Sequence, residues 1–174
     1  MHSLDVGLFV LRLVVGLLLV GHGSQKLFGW FGGFGLRGTA GFLDSMGYRP
    51  GVLFAVLAGI SEVVGGLLLV LGLATPLGAA LVVATMSNAY AAHAGKGVWA
   101  QNGGWEYLLV LGAAGAALSL AGPGAWSLDA AIGLAPWSEG WALGGVAAGL
   151  IAGVGTLLLR GLLHPARQGS RQAA

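Results

Sequence analysis

The first apolar run, Leu4 to Gly21, is long enough to cross a bilayer, yet it holds Arg12 inside it and runs straight into His22-Gly23-Ser24-Gln25-Lys26. A permanent charge at that depth needs a partner from elsewhere in the chain. The run therefore reads as one helix of a bundle with Arg12 turned inward, not as a lone anchor. If the helix continues through Lys26, the i, i+3, i+4 spacing places His22, Gln25 and Lys26 on one face at a membrane boundary.

The remaining chain repeats the pattern. Apolar spans are read at Val52 to Ala74, Pro76 to His93, Trp105 to Gly122 and Trp141 to Leu159. Only 8% of the 174 residues are charged and the mean hydropathy is +0.85, whereas soluble domains carry about 25% charged residues. The expectation is an all-α integral membrane protein, one bundle without a separate soluble domain. Met1-His2-Ser3-Leu4-Asp5 lacks the basic start of a secretory signal, so the first helix is read as retained.

Between the first two spans, Phe28-Gly29-Trp30-Phe31-Gly32-Gly33-Phe34-Gly35 alternates aromatic residues with glycine. This suits the headgroup zone, and residues 27–50 are read as an interfacial loop in which Thr39 caps a short amphipathic helix bearing Phe42, Leu43 and Met46. Thr75-Pro76 leaves room only for a tight turn, so spans two and three form an antiparallel hairpin. Residues 136–163 contain the fifth span, where Gly144, Gly145, Ala148, Gly149, Ala152, Gly153 and Gly155 invite close packing, either onto the bundle or across a homo-oligomer. Residues 164–174, with Arg167 and Arg171, read as a disordered basic tail.

Five spans put Lys26, Arg37, Arg49, Lys96, Arg160, Arg167 and Arg171 on one side and no Lys or Arg on the other. The basic side is expected to be cytoplasmic, with the N-terminus outside and the C-terminus inside. This segregation accounts for the net charge of +2 and removes the case for nucleic acid as a partner. Membrane lipid, and a soluble redox protein docking on the basic side, are the partners the pattern suggests.

No cysteine is present, which excludes disulfides, thiol chemistry, thiolate metal sites and iron–sulfur clusters. Bis-histidine haem ligation by His22 and His93 is disfavoured, because neither has a helical-spacing partner and there is no Cys-x-x-Cys-His motif. No metal site is expected, and no catalytic residue can be named from the sequence.

Two groups of residues could carry chemistry. Counted at about 1.5 Å per residue, Arg12 lies ~12 Å from the start of its span and Glu62 ~15 Å from the opposite start of the second, so the two are expected to pair near the midplane. His22, Gln25, Lys26, Asn88, His93 and Glu106 all fall near the basic ends of spans one, three and four. Convergence of Lys26, Asn88 and Glu106 there would make a ligand pocket. The competing reading is that polar residues collect where helices meet water, with Lys26 snorkelling and Asn88 bridging helices.

An Arg-bearing first span, Gln25-Lys26-Leu27-Phe28-Gly29, Gly32-Gly33-Phe34-Gly35, Gly38-Thr39, Phe42, Glu62-Val63-Val64-Gly65-Gly66, Asn88 and Trp126-Ser127-Leu128-Asp129 together resemble the DoxX family of small bacterial membrane proteins. The resemblance implies a four-helix membrane bundle over residues 1–135, to which the fifth helix is an addition. It also implies a setting in membrane redox or oxidative-stress systems, the family name being tied to a subunit of thiosulfate:quinone oxidoreductase. Arg12, Gln25, Lys26, Glu62, Asn88 and Asp129 are the matching positions; the residues themselves place Asp129 at a surface turn.

Three functions follow as expectations. A quinone-like molecule could bind among the basic-side polar residues in a redox subunit fed by another electron carrier. A non-enzymatic scaffold could hold soluble redox enzymes at the membrane. A transporter of a small solute or protons would use the Arg12–Glu62 pair.

Overall fold

The computed structural model describes residues 3–163, so the reading of residues 164–174 as a disordered tail lies outside the described residues. The described chain is all helical: α1 (Ser3–Phe28), α2 (Gly35–Ser45), α3 (Gly51–Leu71), α4 (Thr75–His93), α5 (Glu106–Ala121), the short α6 (Leu128–Ala131) and α7 (Glu139–Leu163). Among these residues α1, α3 and α7 are long and apolar enough to cross a membrane. Their outward faces expose Val14, Leu17, Leu57, Ile60, Leu67, Leu150 and Ile151. That much exposed hydrocarbon is untenable in water and matches a lipid-facing belt.

Helices in lipid gain nothing from excluding water, so association rests on close packing and hydrogen bonds. Glycines set that packing here. A Cβ added at Gly16 would lie 2.6 Å from the Gly66 carbonyl oxygen, and one at Gly23 would lie 2.6 Å from that of Gly59. The α1 and α3 backbones therefore touch at two points two turns apart, and this fixes an antiparallel register in which His22 is level with Glu62. Arg12 comes level with Gly72.

The core joins Val15 and Leu19 of α1, Leu69 of α3, Val82 and Met86 of α4, and Leu111 and Leu118 of α5. Lying between α3, α5 and α7, α4 faces protein on most sides, which is why it tolerates Thr85, Ser87 and Asn88. A second glycine seam attaches α7. A Cβ at Gly145 would meet the Pro76 carbonyl oxygen at 2.5 Å, one at Gly149 that of Ala80 at 2.7 Å, and one at Gly153 the Ser87 Cβ at 2.7 Å. The small-residue face of the fifth span is thus used, at these three positions, within the bundle.

The segment between α1 and α3 differs from its sequence reading in one detail. Thr39 lies inside α2 and is buried, and its hydroxyl donates to the Lys26 carbonyl at 3.4 Å instead of capping a helix start. An orphan carbonyl in the last turn of α1 is satisfied this way, and α2 is tied to the end of α1. The aromatic residues of the loop stay outside: Phe31 and Phe34 are 75% and 88% exposed.

Candidate functional site

Glu62 is 2% exposed in the middle of α3, and its Oε2 accepts from Lys26 Nζ at 2.5 Å. Lys26 sits one turn beyond the level of Glu62 on α1. Side chains on a helix lean toward its N-terminus, which brings the ammonium back to the carboxylate. The pair is unequal, since Lys26 keeps 31% of its side chain exposed.

The same cluster extends to α5 through His22. Its Nδ1–H donates to Gln25 Oε1 at 3.0 Å, and the Tyr107 hydroxyl donates to its Nε2 at 3.1 Å, with the two rings edge to face. Gln25 in turn donates from Nε2 to the Phe31 carbonyl at 3.2 Å. Glu62 lies within electrostatic reach of Lys26 and His22, and Tyr107 within reach of Glu62. Five side chains from three helices therefore form one polar group at the Lys26 end of the bundle. In the sequence Tyr107 is overshadowed by its charged neighbour Glu106. Its phenolic hydroxyl, one residue into a helix otherwise apolar, was the available signal.

The expected Arg12–Glu62 pair does not form. Glycine contacts, not span ends, set the register, and Glu62 lies ten residues of α3, roughly 15 Å, short of the level of Arg12. Arg12 is fully buried near the opposite end, where it donates from Nη2 to the Trp126 carbonyl. Its guanidinium packs on Gly72, where any Cβ would collide with Nη1. Gly72 also has φ 61° as the left-handed residue closing α3, so glycine is required there twice over.

The charge facing Arg12 is Asp129, within electrostatic reach and fully buried instead of at a surface turn. It accepts from the Ala74 and Thr75 amides at 2.7 and 3.0 Å, the Thr75 hydroxyl at 2.8 Å and the Trp137 indole at 2.8 Å. Burial alone would raise its pKa, but the bonds from Thr75, Trp137 and Ala74 outweigh this and hold the carboxyl below its ordinary value. Asp129 caps the start of α4 from the far side of the bundle and ties the α5–α7 connection to the α3–α4 turn.

Nor do Lys26, Asn88 and Glu106 bond to one another. Asn88 Nδ2 donates to the Ala84 and Gly153 carbonyls at 3.0 and 3.3 Å, while its Oδ1 accepts from the Tyr48 hydroxyl at 3.2 Å. Arg160 of α7 stacks on the Tyr48 ring, 5.2 Å from its centroid. Asn88 thus joins α4, α7 and the α2–α3 connection. Glu106 accepts from the Ala100 amide at 2.9 Å and closes its own loop, and His93 Nδ1–H donates to Ala89 O at 2.8 Å on its own helix. Glu106 and His93 are each committed locally, because a polar residue near a helix end has unsatisfied backbone within easy reach.

A cavity of about 460 Å³ opens beside the cluster, lined by Gln25, Lys26, Gly32, Gly33, Phe34, Gly38, Thr39 and Phe42. It lies between the end of α1, the aromatic loop and α2. No group of three or more His, Asp or Glu side chains suited to a metal occurs among the described residues.

Taken together, these features define a small helical membrane protein with an ion pair at the end of its α1–α3 seam and a carboxylate-locked turn at the other end. The profile of the DoxX family matches residues 7–95, slightly more than half of the chain, and the protein belongs to that family. The matched part spans α1 to α4 and so contains Arg12, His22, Gln25, Lys26, Glu62 and Asn88, while Tyr107, Asp129 and α7 lie beyond it. The chain is also similar to a Bacillus subtilis (strain 168) protein described as "Putative oxidoreductase CatD", with 32% identity over 109 residues, 63% of this chain and 75% of that protein. No solved structure matches the chain.

Proposed function

We propose that this protein is the membrane-embedded subunit of a redox or oxidative-stress system and that it binds a quinone-like, lipid-soluble molecule in the cavity beside Lys26. One observation carries the reading: an ammonium held by a buried carboxylate lines a cavity walled by glycine and exposed aromatic rings. A quinone offers carbonyl oxygens that accept from Lys26 and a flat ring that fits against Phe34 and Phe42. The volume falls within the range usual for small-molecule sites.

The sequence has no cysteine and hence no thiolate or iron–sulfur carrier. Electrons are supplied by a soluble partner, which docks on the face bearing Arg37, Arg49, Lys96 and Arg160. That face is cytoplasmic, with the N-terminus outside. The description of the CatD relative as an oxidoreductase supports the redox setting.

Titration of decylubiquinone into the purified protein in lipid nanodiscs, followed by tryptophan quenching, tests this. Saturable binding is expected, weakened at least ~10-fold in Lys26→Met, the loss of one charge-assisted hydrogen bond. Absence of saturation, or equal affinity in Lys26→Met, would refute the reading.

A further inference from the structure

We infer that His22 is the proton reserve of the Lys26–Glu62 pair and that Tyr107 is its inlet, a role resting on the ligand reading above. The hydrogen bonds fix the tautomer. Gln25 commits its amide nitrogen to Phe31, so its oxygen takes the Nδ1–H of His22. The Nε2 lone pair is left facing the Tyr107 hydroxyl at 3.1 Å. Tyr107 is 37% exposed in the first turn of α5, where it can exchange protons with interfacial water.

When an oxygen of the bound molecule takes a proton from Lys26, one N–H bond breaks, one O–H bond forms and the ammonium becomes a neutral amine. Glu62 would then stand as a buried carboxylate without its counter-charge, which the low-dielectric surroundings penalise. His22 restores the balance by taking a proton at Nε2 from the Tyr107 hydroxyl, and Tyr107 recovers one from water. The sum is one proton moved from water to the ligand, with the charge of the site unchanged. No electron passes through these side chains; a hydride donor on the soluble partner supplies two electrons with one proton, and the proton from Lys26 is the second that a quinol needs. When Lys26 is protonated again, His22 releases its proton.

The titratable groups facing His22 are Glu62 from α3 and Tyr107 from α5, with Lys26 one turn along its own helix. From α2, Arg37 points outward, and Asp44 is committed to the Gly51 amide at 2.8 Å. Glu62 is therefore the charge that His22 answers to.

The test is a histidine NMR titration of the whole chain in nanodiscs, labelled at Cε1, with His22→Gln assigning the signal. Glu62→Gln and Lys26→Met should each change the pH response of the His22 signal relative to the wild type, in opposite senses, because they remove charges of opposite sign beside it, while Tyr107→Phe should slow proton exchange at the ring. A midpoint that is the same in the wild type, Glu62→Gln and Lys26→Met would overturn the inference; if Lys26→Met does not fold, Glu62→Gln decides alone. Decylubiquinone titration of the same nanodiscs judges the ligand reading separately, since a shifted midpoint without binding removes the quinone and keeps the reserve.

Discussion

Lys26 and Glu62 meet at 2.5 Å across the α1–α3 seam, with the carboxylate sealed and the ammonium partly exposed. The two halves of the pair therefore differ in what their loss leaves behind. Lys26→Met strands a buried carboxylate and should cost about 3 kcal/mol, the lower end for breaking a buried pair. Glu62→Met leaves a lysine that can extend toward water and should cost less. The double variant should recover most of the loss. Thermal unfolding in one detergent checks this, and strict additivity of the two single losses would show that the pair contributes nothing.

The glycine seam gives a sharper contrast, because neighbouring positions of one helix predict opposite outcomes. At Gly16 a methyl group would press on the Gly66 carbonyl, whereas at Gly21 nothing lies within 4 Å. Gly16→Ala should lower stability by roughly 1 to 3 kcal/mol. Gly21→Ala should be neutral or raise it by about 0.5 to 1 kcal/mol through helix propensity. Equal melting temperatures for the two variants would contradict the register.

Asp129 makes stability depend on acid. Its folded pKa lies below the unfolded value of about 3.9, so its contribution is complete above that value and is lost as pH falls through the lowered folded pKa. Asp129→Asn should cost about 1.5 to 3 kcal/mol near neutral pH. The gap between wild type and variant should stay constant from pH 7 to about 5 and close on further acidification. Melting curves across that range decide it, and a gap that widens in acid would reverse the assignment.

Because the native chain has no cysteine, topology can be read with single replacements at exposed positions. Gln101→Cys, in the α4–α5 loop, should react with a membrane-impermeant maleimide only after cells are opened, and Ser138→Cys should react in intact cells. The reverse pattern would invert the orientation.

The helices and their order are legible in the sequence because apolar length is a direct consequence of bilayer thickness, and the Thr75-Pro76 turn is legible because proline at a helix start leaves little choice. Lys26, His22 and Gln25 share a face because helical periodicity brings residues three and four apart together. What could not be read was register. Arg12 and Glu62 look level when depth is counted from span ends, but the sliding of α1 along α3 is decided where Gly16 meets Gly66 and Gly23 meets Gly59. Such contacts involve no side chain and resemble every other glycine in a sequence that has 34 of them. The burial of Asp129 was hidden for a related reason: its partners Ala74 and Thr75 are backbone donors 55 and 54 residues away.

The attachment of α7 to α4 through Gly145, Gly149 and Gly153 bears on how the chain enters the membrane during synthesis. With Asn88 and His93 near one end, α4 is a poor passenger for the translocon by itself, and the helix that covers one of its flanks is made last among the described residues. Until α7 emerges, α4 must be sheltered by α3 and α5 alone or wait beside the insertion machinery. The packing of α7 on α4 thus makes the final burial of α4 depend on a helix synthesised after it.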